Sequence, residues 1–140
     1  MGRPTAAVVA ALATGALVAC TSPPQTPLAS TASVTVNGIV TKFDVVKCTQ
    51  VQWYRTIHIG GNLEGATVVM DGRADRAIAE SVRIQSVGGF TGMYSQGDGS
   101  EPAKVGLNGG KFTISGSAQG SMADKPNEPA TATFKIFVTC

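Results

Sequence analysis

The strongest constraint on this fold is the alternation in Thr131–Cys140, where Phe134, Ile136, Val138 and Cys140 share one face and Thr133, Lys135 and Thr139 the other. A period of two is the pleat of a half-buried β-strand. Lys111–Ala118 repeats it, with Phe112, Ile114 and Ala118 opposite Thr113, Ser115 and Ser117. Val34-Thr35-Val36 runs into Asn37-Gly38, a hairpin signal of the type I′ class. Further strands are predicted over Phe43–Cys48, Val51–Ile59, Ala66–Met70, Glu80–Val87, Phe90–Tyr94 and Ala103–Leu107. Fifteen of the seventeen glycines lie between Gly38 and Gly120, as turns between short strands require. Only Arg73–Ala79 has helical composition, and it predicts a connector with one helical turn. The expectation is an all-β domain over residues 34–140, a small antiparallel sandwich or barrel-like form of about eight short strands, with the sandwich favoured.

The N-terminus obeys different rules. Arg3 gives it a positive start, Ala6–Val18 is apolar except for Thr14 and Gly15, and Leu17-Val18-Ala19-Cys20 closes the run. A basic start, a short apolar core and small residues at the end describe a secretory signal. The apolar stretch is shorter than the roughly 20 residues of a membrane-spanning helix. The closing run looks like a lipobox, which predicts removal of residues 1–19 and acylation of Cys20. Stable anchoring takes two lipid signals, and the resemblance to bacterial lipoproteins implies a diacylglyceryl thioether on Cys20. The expected location is the extracytoplasmic side of the cell membrane.

Residues 20–33 then form a tether. Pro23, Pro24 and Pro27 favour extended backbone. Thr21, Ser22, Thr26, Ser30, Thr31 and Ser33 are candidates for O-glycosylation, as in Ser/Thr-rich stalks with proline.

Of eleven Lys/Arg, Arg3 lies in the leader, and the rest face nine Asp/Glu. This near-neutral balance argues against a nucleic-acid partner, whose phosphates call for clustered cations. Three cysteines are an odd number for an exported chain. With Cys20 acylated, Cys48 and Cys140 remain, and an oxidising compartment favours a disulfide between them. Two buried free thiols, or a metal or catalytic cysteine, are the competing readings. Cys140 is expected to face the core, where a cystine would be protected.

These features together resemble the LpqH family of mycobacterial lipoprotein antigens. The carriers are Val34-Thr35-Val36-Asn37-Gly38, Val45-Val46-Lys47-Cys48, Ile57-His58-Ile59-Gly60-Gly61, Phe112–Gly120 with Met122, and the ending Phe134–Cys140. The resemblance covers roughly Cys20–Cys140. It implies a surface-exposed acylated antigen recognised by host lipopeptide receptors, without established enzymatic activity. The tether departs from the family pattern, being shorter and proline-rich.

Catalytic machinery is not evident. A nucleophile needs a base, and His58 is the single histidine, expected on an exposed strand face. No G-x-S-x-G, phosphate-loop or dinucleotide fingerprint occurs. Asp71 with Asp75, and Asp98 with Glu101, are the close acidic pairs that could offer oxygens to calcium, although turn residues are the simpler reading. No metal and no cofactor are expected. Trp53, Tyr54, Phe90, Met93 and Tyr94 could line a ligand groove or fill a core. The first expectation is therefore a monomeric, non-enzymatic envelope lipoprotein that meets host receptors or envelope components. The alternative is a lipid- or glycolipid-carrying module, which requires an apolar interior cavity.

Overall fold

The computed structural model describes Gly2 and residues 30–140. The expectations for Cys20 and for Thr21, Ser22 and Thr26 lie outside the described residues. Ten strands follow one another: β1 (Ala32–Val36), β2 (Ile39–Phe43), β3 (Val46–Val51), β4 (Tyr54–Gly60), β5 (Gly65–Asp71), β6 (Ile78–Val87), β7 (Phe90–Ser95), β8 (Lys104–Asn108), β9 (Lys111–Met122) and β10 (Lys125–Thr139). All pairings are antiparallel, in the order β2-β1-β10-β9-β7-β6-β5-β4-β3, with β8 also paired to β9. Of the two forms expected, the barrel-like one is observed: a single sheet curls until it is nearly closed. The long strand β9 produces this continuity, since it pairs with β10, β8 and β7 and so passes through what would otherwise be two layers.

The alternation works as its period demands. Phe134, Ile136 and Val138 on β10 are buried opposite Gly116, Ile114 and Phe112 on β9. Val34 and Val36 of β1 join them, and Ile57, Val68, Val82 and Ile84 fill the facing side. Each fully buried aliphatic or aromatic side chain contributes about 1.5–3 kcal/mol. Tyr94 is also wholly inside, tilted against Phe134 at 6.2 Å between ring centroids, and its hydroxyl accepts the Ala103 N–H at 2.9 Å. That bond ties the loop before β8 to the core and satisfies a polar tip that burial would otherwise penalise.

Asn37-Gly38 makes the expected hairpin turn, with φ of 49° and 83°, the positive values that a type I′ turn requires. Asn37 does more than turn the chain. Its side-chain carbonyl accepts the Thr133 N–H at 3.0 Å, and its own N–H donates to the Thr133 carbonyl at 3.0 Å.

Five details differ from expectation. Phe43–Cys48 is not one strand, because β2 ends at Phe43 and β3 begins at Val46. Ala32 is already in β1 and buried, so the first strand begins two residues before Val34 and includes Ser33. Val51–Ile59 is not one strand, because Gln52 and Trp53 form a tight turn with Gln52 at φ 55°. Arg73–Ala79 contains no helical turn. The Asp71 carboxylate binds the Arg73 N–H at 2.9 Å and the Arg73 guanidinium, and this side-chain turn captures the backbone that a helix would need. Finally, Cys48 and Cys140 are joined, with Cα atoms 5.9 Å apart, but the bond is not deep in the core. Cys140 faces inward by parity yet follows the last strand and is exposed, while Cys48 is half-buried against the core. The bond links edge strand β3 to the end of β10 across the curled sheet.

Candidate functional site

The candidate groove residues separate into two groups. Phe90 and Tyr94 are core residues, whereas Trp53, Tyr54 and Met93 are exposed. Arg73 lies over the Trp53 ring at 5.3 Å and the Tyr54 ring at 5.6 Å from its guanidinium carbon, in cation–π range. The same guanidinium pairs with buried Asp71. The hydrogen bond from the Arg73 side chain, then that from its backbone, holds the Asp71 carboxyl below the usual carboxylate range.

Asp71 is thus committed to a cation and is separated in role from exposed Asp75. Asp98 accepts the backbone N–H groups of Ser95 at 3.3 Å and Ser100 at 2.9 Å, together with the Ser100 hydroxyl. The Ser100 hydroxyl bond is the leading cause of its lowered pKa. Both acidic candidates therefore serve as turn anchors. Among the described residues, no three His, Cys, Asp or Glu side chains gather in a metal-binding group.

His58 lies on the exposed face of β4, with Nδ1 3.4 Å from the Thr67 hydroxyl. Register places it directly between Lys47 on β3 and Thr67 on β5, with Arg83 of β6 next in the same row. This row borders a groove of about 680 Å³ on the outer surface. Lys47, Thr67 and Arg83 are not legible as neighbours of His58 in any one segment, because pairing of four strands is a property of register. The alternation of each strand separately was the available signal.

Two other grooves are present among the described residues. One of about 440 Å³ includes Thr31, Phe43, Phe112 and Phe137, beside the start of the domain. A smaller one of about 150 Å³ lies by Trp53, Arg55 and Leu107. All three open at the surface, while the interior is occupied by side chains.

With the all-β domain, the terminal strand and the cystine in place, comparison with known proteins becomes decisive. The model of the Mycobacterium 19 kDa lipoprotein antigen family matches residues 25–140. The chain belongs to that family. A protein of Mycobacterium indicus pranii named as a lipoprotein is 56% identical over 140 residues, 100% of either chain. Lipoprotein LppE of Mycobacterium tuberculosis is 31% identical over 132 residues, 94% of this chain and 93% of its own. Lipoprotein LpqH of Mycobacterium avium is 35% identical over 96 residues, 68% of this chain and 58% of its own. The 19 kDa antigen match spans every strand of the sheet and begins at residue 25, after Cys20.

Proposed function

We propose that this member of the family is a non-enzymatic envelope lipoprotein, acylated at Cys20 and held on the extracytoplasmic side of the cell membrane. Residues 1–19 act as the leader and are removed. The stretch after Cys20 spaces the β-domain from the bilayer, and the domain presents its outer surface to envelope components or host receptors. Thr21, Ser22, Thr26, Ser30 and Thr31 remain candidate glycosylation positions. Ser33 is a poorer one, because it is paired within β1 to Phe137 and Lys42.

The observation that carries this reading is the filled interior. Phe90, Tyr94, Ile57, Ile84, Ile114 and Ile136 are each 0–1% exposed and occupy the centre of the curled sheet, whereas carriers of apolar ligands enclose their cargo in a cavity. This supports surface presentation over lipid transport. The family membership and the lipoprotein names of the relatives support the anchor. Detergent phase partition of the wild-type chain and of Cys20→Ala in a mycobacterial host tests the proposal. Wild type should enter the detergent phase, and the variant should persist as an unprocessed, unacylated precursor. Equal processing and equal partition of both would overturn it.

A further inference from the structure

The outer face of β3–β6 carries an uncompensated row of basic side chains beside a hollow. Lys47, His58, Thr67 and Arg83 are aligned across four hydrogen-bonded strands. With strands about 4.8 Å apart, the Lys47 and Arg83 backbones are about 14 Å from each other. Their long side chains can therefore close on one small group above His58. No carboxylate offsets them: among the described residues, neither Lys47 nor Arg83 forms a salt bridge, and no Asp or Glu lines the groove. Asp44 and Glu64, on the flanking connections, are also outside the lining.

The hollow has a structural origin. Two residues further along the strands, the outward row next to the cations contains Gly60 opposite Gly65, with Gln85 opposite Gly65. Gly60 and Gly65 carry no side chain there, and Val45, Ile59 and Ala66 complete the lining. Gln85 and Asn62 stand at its border with amide groups. Two cations, an imidazole, a hydroxyl and two amides around an open floor supply donors in several directions. That is the chemistry of a tetrahedral oxyanion, for which charge-assisted hydrogen bonds give both strength and orientation.

We propose that this groove binds the phosphate group of a phosphate ester, with Lys47 and Arg83 as the principal contacts and His58 between them. The ester can be a phospholipid headgroup, which an anchored domain would meet at its own membrane, or a soluble phosphorylated polyol. The site itself does not depend on acylation of Cys20, so a failed anchor and a failed groove are distinguishable.

The test uses the mature protein in a maltoside detergent, free of phosphate. Amide and imidazole NMR shifts are followed while inorganic phosphate, sn-glycerol 3-phosphate or uncharged glycerol is added. The same protein is then placed in phosphatidylcholine nanodiscs with and without phosphatidylglycerol. Saturable shifts at His58, Thr67 and Gly60 are expected with a phosphate probe or with the anionic discs, and none with glycerol. Response to the soluble ester identifies a soluble ligand class; response only to phosphatidylglycerol identifies the headgroup. Lys47→Gln with Arg83→Gln should weaken binding by at least about tenfold, while Lys104→Gln with Lys135→Gln should leave it unchanged. No saturable shift in any arm, or equal weakening by both pairs of substitutions, would overturn the site.

Discussion

Replacing both halves of the cystine, Cys48→Ser with Cys140→Ser, isolates the restraint that it places on the unfolded chain. Little packing is lost with it, because Cys140 is exposed and Cys48 only half-buried. The sequence separation of 92 residues gives a loop-entropy stabilisation of about 4.6 kcal/mol. Residues 32–140 unfold with an entropy of about 2.1 cal/mol/K each, so this corresponds to a fall in Tm of about 20 °C. Thermal unfolding is followed by far-ultraviolet circular dichroism and by fluorescence of Trp53, the single tryptophan. Reduced wild type and the double variant should melt together, well below oxidised wild type. The exposed position also predicts that a phosphine reductant opens the bond in native buffer without denaturant. If oxidised wild type, its bond verified by mass, melted within about 5 °C of the variant, the restraint would not be acting through the long loop and the reasoning would fail.

Two further substitutions probe the sheet and its buried charge. At Gly120 a Cβ would collide with the Thr91 carbonyl and sit 2.5 Å from Gly92 Cα, so Gly120→Val should cost about 3 kcal/mol or more in a urea melt. Gly106→Val, whose nearest new contact is Thr113 Cβ at 3.8 Å, is the tolerated control; equal melts for the two would contradict the close β7–β9 approach. Asp71 has its pKa lowered chiefly by its hydrogen bond from the Arg73 side chain. Its stabilisation is therefore complete above the unfolded carboxylate value of about 3.9 and is lost as pH falls through the lower folded value. Asp71→Asn should lower stability at neutral pH and flatten the acid limb, and parallel pH–stability curves for variant and wild type would refute the assignment.

How far the sequence was legible follows the reach of each signal. The strands β9 and β10 were plain, because Phe112, Ile114, Phe134, Ile136 and Val138 alternate with polar residues and every apolar member is buried. Asn37-Gly38 was plain because its turn type demands those residues. The break at Gln52-Trp53 was not, since Gln52 adopts positive φ without the usual Gly or Asn signal. At Arg73, helical composition lost to a local capture by Asp71 that propensity does not encode. The burial of Cys140 was overestimated because parity gives a direction, while exposure depends on the strand ending there. The basic groove depends on the register of four strands, and no single segment of the sequence contains it.

The central claim is that this β-domain works from an acylated Cys20. Intact mass of the protein purified from mycobacterial membranes tests it most directly, with fragmentation to locate the modification. The account predicts a polypeptide beginning at Cys20, carrying a diacylglyceryl group on that residue. A protein from the same membranes with an unmodified Cys20, or one whose chain begins elsewhere, would contradict it.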